Sequence, residues 1–180
     1  MESKLQIISG AHRGRKLYLP DGARPTQNRA RVALFNMLTP IVPRDNKFIV
    51  WDAFAGSGAF GLEFLSRYAN VSTVFTDIAP DTVIKNLNAV GASATVKQTD
   101  AMAAIPQFGA DADIIFVDPP YSGFDIGVKF VCKMSGVAKP GAILIWEIEQ
   151  TREMPNIGTN WQIIKDKTYG RARFLILQHI

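Results

Sequence analysis

The sequence contains very little cysteine and histidine, which limits the chemistry that it can support. Cys132 is the only cysteine in 180 residues, and the two histidines, His12 and His179, are far apart in the chain. An internal disulfide and a cysteine-based metal cage are therefore excluded, and neither a histidine-based metal site nor a nucleophile–histidine pair is expected. Cys132 lies among valines and is interpreted as a small core residue.

Long apolar runs are also missing. No stretch approaches the roughly 18 residues that indicate a membrane span. The opening residues MESKLQIISG lack the apolar core and the small-residue cleavage site of a secretion signal. We therefore expect a cytoplasmic protein with no membrane partner, most simply a monomer. The length and the 47% content of hydrophobic residues fit one full core with a small appendage.

The excess of positive over negative charge is confined to the N-terminus. Residues 1–31 hold seven Lys or Arg and two acidic residues, a net charge of +5. The remaining 149 residues hold 13 basic and 14 acidic side chains, a net charge of −1. A basic terminus can serve solubility alone, but clustered cations also neutralise phosphates. We favour an interpretation as a nucleic-acid-binding segment.

The N-terminal part of the chain is predicted to form a hairpin followed by a helix. The apolar runs and the turn at Ser9-Gly10 place the hairpin over residues 5–20. The helix is expected at about 29–39, with Asn28 as a candidate cap. The side chains of this helix available for packing are Val32, Leu34, Phe35 and Leu38.

From residue 48 onwards, apolar strands alternate with helical stretches, which indicates a mostly parallel sheet covered by helices on both faces. The final two strands, WQIIKDKTY and RFLILQH, meet at Gly170 and must run antiparallel. The sequence thus predicts an α/β fold with seven strands and one antiparallel member at the end. We predict an extension over residues 1–45 and a ligand-binding domain over residues 46–180.

A glycine-rich turn follows the first strand of this domain. In WDAFAGSGAFGLE, the glycines 56, 58 and 61 have the spacing G-x-G-x-x-G between a strand and a helix. Such a turn lets the backbone approach a ligand at the helix N-terminus. It fits a dinucleotide and fits S-adenosylmethionine equally well, with Asp52 then holding the amino end of the ligand. The alternative is a tight turn that needs glycine for its backbone angles alone.

Acidic residues end the next two strands. Asp77 is positioned to accept hydrogen bonds from ribose hydroxyl groups, or else it caps the helix that follows Pro80. Asp100 can accept a hydrogen bond from an adenine amino group, and an N-cap role is an equally good interpretation.

The fourth strand of the domain runs into the motif DPPY. Asp118 ends the strand, and the carbonyl of Pro119 is held by rigid backbone on both sides. Together they offer two acceptors for the two N–H groups of an exocyclic amine, and Tyr121 offers a face for base stacking. The alternative is a proline-stiffened loop with a structural Asp and a packed Tyr.

Several stretches together resemble the RsmD family of methyltransferases, and they span nearly the whole chain. They are IISGAHRGRKLYLP, RPTQNRARVALFNML, DAFAGSGAFGLEFLSR, IKNL, FVDPPY, WEIE and KTYGRARF. The motif DPPY alone is shared with DNA adenine and protein glutamine methyltransferases. The RPT helix combined with FAGSGA and the late Tyr-Gly is more specific.

The resemblance implies a Rossmann-like class I methyltransferase fold. It implies methylation of the N2 amino group of one guanine in 16S ribosomal RNA, the one numbered 966. The implied cofactor is S-adenosylmethionine, with S-adenosylhomocysteine as the product. The implied partner is 16S ribosomal RNA or an assembling small ribosomal subunit.

The resemblance also implies roles for individual residues, and it places Arg24, Thr26 and Arg29 at the border of the active site, whereas Arg13, Arg15 and Lys16 are assigned from the charge of the hairpin. Asn28 and Val32 depart from the family pattern, since the family usually has Asp and Glu there. The predicted cofactor-binding residues are Asp52, Phe54, Gly56, Ser57, Gly58, Asp77, Ile78, Asp100 and Ala101; the predicted catalytic residues are Asp118, Pro119, Pro120 and Tyr121; the predicted RNA-binding residues are Arg13, Arg15, Lys16, Arg24, Thr26 and Arg29.

Three other functions are compatible with parts of the pattern. A DNA adenine methyltransferase shares DPPY, but 180 residues leave little room for a separate DNA-recognition domain. A nicotinamide-dependent dehydrogenase fits the glycine spacing but leaves DPPY unexplained. A non-catalytic RNA-binding assembly factor would keep the fold without the chemistry, and the intact Asp118 and Gly56 argue against it.

Overall fold

The computed structural model describes residues 5–22, 28–42, 46–120 and 123–180, and these form a seven-stranded sheet with flanking helices. None of the described helices is long and apolar enough to cross a membrane. The helices are α1 (Asn28–Leu38), α2 (Ala59–Arg67), α3 (Asp81–Val90), α4 (Ala101–Phe108) and α5 (Phe124–Met134). The strands are β1 (Phe48–Asp52), β2 (Val71–Asp77), β3 (Thr95–Gln98), β4 (Ile114–Val117), β5 (Ile143–Glu149), β6 (Trp161–Tyr169) and β7 (Ala172–His179).

The strand order is β3-β2-β1-β4-β5-β7-β6, which confirms the predicted fold class. The pairs β1–β2, β1–β4, β2–β3 and β4–β5 are parallel, and β7 is antiparallel to both β5 and β6. The antiparallel strand is therefore β7, the last strand of the chain. It lies between β5 and β6, so β6 forms that edge of the sheet. All four residues of β4 are buried, as expected for a strand covered on both faces.

Successive side chains of β1 point to opposite faces of the sheet and pack in two different hydrophobic cores. Trp51 packs with residues of α4 and α5, whereas Val50 packs with residues of α1 and α2. Because successive side chains of a strand point to opposite faces, Asp52 lies on the same face as Val50. Asp52 thus emerges beside the N-terminus of α2.

The N-terminal hairpin is held against α2 by buried polar contacts. It contains one isolated antiparallel bridge, between Gln6 and Lys16. The carboxylate of Glu63 in α2 is fully buried and accepts hydrogen bonds from the backbone N–H of Ile8 (2.8 Å) and of Ser9 (2.9 Å). These bonds fix the hairpin beside the glycine-rich turn, which α2 follows directly.

Two packing predictions are wrong. Val32 was expected to be available for packing, but its side chain is 38% exposed, because α1 buries Leu34, Phe35 and Leu38 on its opposite side. Cys132 is exposed rather than in the core. The buried positions of α5 are Gly127, Phe130, Val131 and Met134, and that spacing places residue 132 on the outer face.

Candidate active site

One large cleft opens at the carboxyl ends of the parallel strands, with a volume of about 1420 Å³. In doubly wound α/β sheets, ligands bind in the crevice outside these strand ends. Asp52 after β1, Asp77 after β2 and Asp118 after β4 all line it. The predicted site residues that line this cleft are Asp52, Phe54, Gly56, Ser57, Asp77, Ile78, Asp100, Ala101, Asp118, Pro119 and Pro120.

The three glycines of the turn have different structural roles. Gly56 lines the cleft and has a φ of 52°, a left-handed conformation that favours glycine. Gly58 is the N-cap residue of α2 and is not among the residues that line the cleft, although it was predicted to bind the cofactor. At Gly61, a Cβ atom would lie 2.4 Å from a ring carbon of Phe75, so glycine there allows the helix to pack closely on the sheet.

Asp77 connects the glycine-rich turn to the end of β2. Its carboxylate accepts hydrogen bonds from the backbone N–H of Gly56 (2.7 Å) and of Ala79 (2.9 Å). The alternative role as a helix cap is not observed, because α3 begins after Pro80 with no side-chain cap bond. Each carboxylate oxygen can accept a further bond, so Asp77 remains able to bind ribose hydroxyl groups. Ile78 beside it is 72% exposed and gives this end of the cleft an apolar wall.

Asp100 caps α4. Its Oδ1 accepts hydrogen bonds from the backbone N–H of Met102 (2.8 Å) and of Ala103 (3.2 Å). The structure therefore shows the N-cap role, which was one of the two roles that the sequence left open for Asp100. Asp100 also lines the cleft, so contact with an adenine amino group stays a prediction.

Asp52 carries an acceptor atom that has no partner among the described residues. The side chain is 1% exposed, and Oδ2 accepts a hydrogen bond from the N–H of Gly61 at 3.1 Å. Oδ1 is buried and unpaired in the described part of the chain. Burial raises the pKa of Asp52 well above its usual range, and the nearby charges of Asp118 and Asp77 add to this effect. A positively charged amino group beside Oδ1 would satisfy it, which fits the amino end of S-adenosylmethionine.

Asp118 lies on the same face of the sheet as Asp52. In the β1–β4 pair, Asp52 is opposite Phe116, and residue 118 follows two positions later on the same face. Its side chain is partly exposed within the cleft, and loss of water contact raises the pKa of Asp118 to about 7. The carboxyl group therefore changes protonation near neutral pH.

The prolines after Asp118 also line the cleft. Pro119 and Pro120 both contribute to the lining, and the N–H of Gly123, next to the start of α5, donates to the carbonyl of Pro120 (2.5 Å). Tyr121, the predicted stacking residue, lies outside the described residues.

Asn86 is a positioning residue that sequence reasoning missed. It is fully buried in α3, and its Nδ2 donates to the carbonyls of Ser57 (2.8 Å) and Tyr18 (3.0 Å). Its Oδ1 accepts from the N–H of Tyr18 (2.7 Å). One amide thus joins the glycine-rich turn, the hairpin and α3. The available signal was a polar residue on the apolar face formed by Val83 and Leu87.

A second wall of the cleft was also missed. The rings of Phe124 and Trp146 are stacked with centroids 5.7 Å apart, and the guanidinium carbon of Arg152 lies 4.9 Å from the Phe124 centroid. Arg152 also pairs with Glu149, with 3.5 Å between its Nε and the carboxylate. All four side chains belong to residues that line the cleft. Apart from Phe124, these residues are distant in sequence from DPPY. The stretch WEIE, which contains Trp146 and Glu149, was the only sequence signal for this wall.

The predicted RNA-binding residues lie outside the cleft lining or outside the described residues. Arg13, Arg15 and Lys16 are exposed on the hairpin, and Arg29 is exposed on α1. None of these four is among the residues that line the cleft. Arg24 and Thr26, like Tyr121, are not described. The roles assigned to these residues remain predictions.

Comparison with known proteins finds relatives over nearly the whole chain. The family model described as Conserved hypothetical protein 95 matches residues 5–178. A curated relative from Escherichia coli K12, named ribosomal RNA small subunit methyltransferase D, is 36% identical over 97% of this chain and 90% of its own.

Solved structures agree with this match. A putative methyltransferase, yhhF, from Escherichia coli has a TM-score of 0.83 and 32% identity, covering 97% of each chain. The 16S rRNA N2 G1207 methyltransferase (RsmC) of T. thermophilus, in complex with AdoMet and guanosine, has a TM-score of 0.67 over 89% of this chain and 45% of its own. At 18% identity, this second likeness shows the fold alone.

Proposed function

The chain belongs to the family of ribosomal RNA small subunit methyltransferase D, and on this premise we propose that it methylates the exocyclic N2 amino group of a guanine in 16S ribosomal RNA. Its methyl donor is S-adenosylmethionine. When bound, this donor supplies a methyl group on a positively charged sulfur, and neutral S-adenosylhomocysteine is the product.

One observation carries the proposal. Asp118 and Asp52 lie on the same face of adjacent strands, in the cleft that the glycine-rich turn also lines. Asp52 has an unpaired acceptor for a cationic amino group, which fits the donor beside the turn. Asp118 and Pro119 then present acceptors for the amino group that receives the methyl group. Donor site and acceptor site thus share one cavity, as direct transfer between them requires.

The carboxylate of Asp118 and the carbonyl of Pro119 each accept one N–H of the guanine amino group. Two such bonds orient the nitrogen and free its lone pair for attack on the methyl carbon. The carbon–sulfur bond breaks with its electron pair going to sulfur. Positioning, and the replacement of bulk water by fixed acceptors, account for most of the rate enhancement.

Asp118 is also suited to take the proton that the nitrogen loses. The amine becomes strongly acidic once it carries the new methyl group, so a weak base is sufficient. A carboxyl group with a pKa of about 7 is close to the optimum for general base catalysis near neutral pH. The proton passes to Asp118 or to water.

The ion pair of Glu149 and Arg152 favours guanine over adenine. Next to its N2 amino group, guanine carries the N1–H donor and then the O6 acceptor, whereas adenine carries an N1 acceptor and an N6 donor. A carboxylate beside a guanidinium matches the guanine edge, with Glu149 accepting from N1–H and Arg152 donating to O6. Both side chains are more than 40% exposed, so they are available to a base that enters the cleft.

The target base must leave any helical stack to enter the cleft, so the guanine is either unpaired or flipped out. The exposed basic residues of the hairpin bind the flanking phosphates, mainly by shape and charge.

Nucleoside analysis tests the proposal. Small-subunit RNA from cells with and without the protein is digested and mapped by mass spectrometry, and the purified protein is then incubated with the unmodified RNA and labelled S-adenosylmethionine. We expect one N2-methylguanosine to be lost in the deficient cells and restored in the purified reaction. Methylation of adenine, or an unchanged RNA, would contradict the proposal.

A further inference from the structure

The turn between β6 and β7 carries the late Tyr-Gly pair, to which the proposed function gives no role. Tyr169 ends β6, Gly170 and Arg171 form the turn, and β7 begins at Ala172. Gly170 has a φ of 62°, a backbone conformation that favours glycine. Tyr169, Arg171 and Ala172 all line the cleft, and Tyr169 is 36% exposed. The turn therefore presents an aromatic ring and a cation to a ligand in the cleft.

Tyr169 lies on the same face of the sheet as Asp52 and Asp118. It is paired with Ala172 of β7, and Ala172 is paired in turn with Glu149 of β5. Residues that are directly opposite each other on neighbouring strands share a face of the sheet. Ala172 packs against the core on the α1 and α2 side, which is the side to which Asp52 points. One row of side chains at the mouth of the cleft thus runs from Glu149 through Ala172 to Tyr169.

The small side chain of Ala172 leaves a gap between Glu149 and Tyr169. The two outer strands of this row are two strand spacings apart, about 10 Å. This width is sufficient for a flat nucleobase that lies against the phenol ring of Tyr169. Because Glu149 is assigned to the edge of the target guanine, a base in this gap belongs to a neighbouring nucleotide.

Arg171 supplies a positive charge that the described part of the cleft otherwise lacks. Among the described residues of the lining, seven are acidic and three are arginines. Arg31 is buried near Glu63, and Arg152 is paired with Glu149. Arg171 is exposed, and its side chain makes no ion pair or hydrogen bond to another described residue. A phosphate group is repelled by the surrounding carboxylates and attracted by this guanidinium, which can bind it with two parallel hydrogen bonds.

Polar contacts hold the turn in place before any ligand binds. The guanidinium of Arg173 donates to both carboxylate oxygens of Asp166, at 2.8 and 2.6 Å, and to the carbonyl of Arg152 at 2.8 Å. The N–H of Gln150 donates to the carbonyl of Arg171 at 3.0 Å. The β6–β7 hairpin is therefore tied to the segment that follows β5. Because the backbone of the turn is already ordered, binding a ligand there costs little further entropy.

We propose that this turn binds the nucleotide next to the target guanine, with Tyr169 stacked on its base and Arg171 bound to its phosphate. Stacking on an aromatic ring selects no particular base, since every base has an aromatic face. The two contacts hold the strand open while the guanine is in the cleft. This inference rests on the proposed methylation of RNA, but not on which guanine is modified.

RNA hairpins with single chemical changes test the stacking contact. They are built around the guanine that mass mapping identifies, and an abasic residue replaces its neighbour on one side or on the other. We expect the wild type to bind one of the two abasic RNAs about 5- to 150-fold more weakly than the unmodified RNA. Tyr169→Ala should bind the unmodified RNA that weakly and should lose little more when the base is removed, because both changes delete the same contact. Tyr169→Phe, which keeps the ring, should behave like the wild type.

A second set of RNAs tests the phosphate contact. A neutral methylphosphonate linkage replaces the phosphate on each side of the guanine in turn. One of these changes should weaken binding by the wild type, and Arg171→Gln should abolish that difference but keep the effect of the abasic residue. Lys167→Gln is the matched control, since it removes an exposed cation of β6 that is not part of the cleft lining, and it should keep both effects. Affinity for S-adenosylhomocysteine should be the same in all variants.

The proposal is overturned if Tyr169→Ala keeps the full abasic effect, if Arg171→Gln keeps the full effect of the neutral linkage, or if the wild type is indifferent to both changes. Equal weakening of every RNA by Tyr169→Ala would show that the ring only supports Phe174, whose centroid is 6.5 Å away. Tyr169→Leu, which keeps an apolar side chain beside Phe174, replaces the alanine variant if that variant does not fold. If the wild type binds S-adenosylmethionine but neither binds nor methylates the unmodified RNA, the proposed function itself fails, an outcome distinct from the others.

Discussion

Asp52 and Asp118 end two adjacent parallel strands and place two carboxyl groups on one face of the sheet. Burial raises the pKa of both, and the charge of Asp118 contributes to the shift at Asp52. Two carboxylates that have lost most of their contact with water repel each other until a cation joins them. The bound donor carries a positive charge on its sulfur that the product lacks, in addition to the ammonium group that both have, so the acidic pair favours the donor over the product.

The first prediction concerns the pH dependence of stability. The pKa of Asp118 is about 7 in the folded protein and about 4 in an unfolded chain. Between these values the folded state keeps a proton that the unfolded chain releases, so this group destabilises the fold increasingly as pH rises from 4 to 7. Asp118→Asn removes that effect. The variant should gain thermal stability relative to wild type at pH 8 and much less at pH 4.

Thermal unfolding of the ligand-free proteins across this pH range measures the difference. Asp111→Asn, an exposed aspartate outside the cleft, is the control and should follow the wild-type profile. A stability difference for Asp118→Asn that does not change with pH would show that Asp118 does not titrate as described.

A second prediction separates binding from chemistry. Asp118→Ala removes the main acceptor for the target amine but leaves Asp52, Gly56 and Asp77 in place. Methyl transfer should fall by roughly 10²- to 10³-fold, the usual effect of removing one group that stabilises a transition state. Calorimetry with S-adenosylhomocysteine should show nearly unchanged binding. Transfer at the wild-type rate would count against the mechanism.

Much of the fold could be predicted because its signals are local. Hydrophobic runs and glycine turns determined the strands, and β6 was predicted over the same residues that form it. The carboxyl ends of parallel strands meet at one edge, so Asp52, Asp77 and Asp118 could be grouped from the sequence alone. The exposure of Val32 and Cys132 was not predictable in this way, because short patterns do not show which side of a helix faces the sheet.

The remaining site residues depend on contacts between distant parts of the chain. Asn86 bonds to Tyr18, 68 residues away, and Arg31 approaches Glu63 from another helix. No local pattern marks such a pair. A polar residue on an apolar helix face is a usable signal, but it does not name the partner.

Asn86 provides the third prediction. Asn86→Ala leaves the backbone groups of Tyr18 and Ser57 without their partners, at a cost of about 1–3 kcal/mol for each buried group. The free energy of unfolding should fall by a few kcal/mol, and affinity for S-adenosylmethionine should weaken because the glycine-rich turn loses a support. Asn88→Ala, an exposed asparagine of the same helix, is the matched control. Denaturant unfolding and calorimetry measure the two effects, and equal behaviour of the two variants would contradict the positioning role.

The fourth prediction concerns base choice. Glu149→Gln replaces the acceptor for guanine N1–H with an amide whose orientation can invert. Discrimination between guanine and adenine should fall by about 1–3 kcal/mol, mainly through slower methylation of guanine. Rates are compared on RNA oligomers with either base at the target position, with Glu153→Gln, which is exposed and not part of the cleft lining, as the control. An unchanged ratio of the two rates would remove Glu149 from base recognition.

The last prediction concerns the basic hairpin. Replacing Arg13, Arg15 and Lys16 together with Gln should weaken RNA binding without affecting S-adenosylmethionine, because none of the three lines the cleft. Each cation that contacts a phosphate adds about 0.7–0.9 to the slope of log affinity against log salt, so the slope should flatten by roughly two. The control replaces three exposed lysines of β3 and α5 with Gln, namely Lys97, Lys129 and Lys133. Because both variants lose the same charge, a loss of slope confined to the hairpin variant would locate the RNA there, whereas equal slopes would locate it elsewhere.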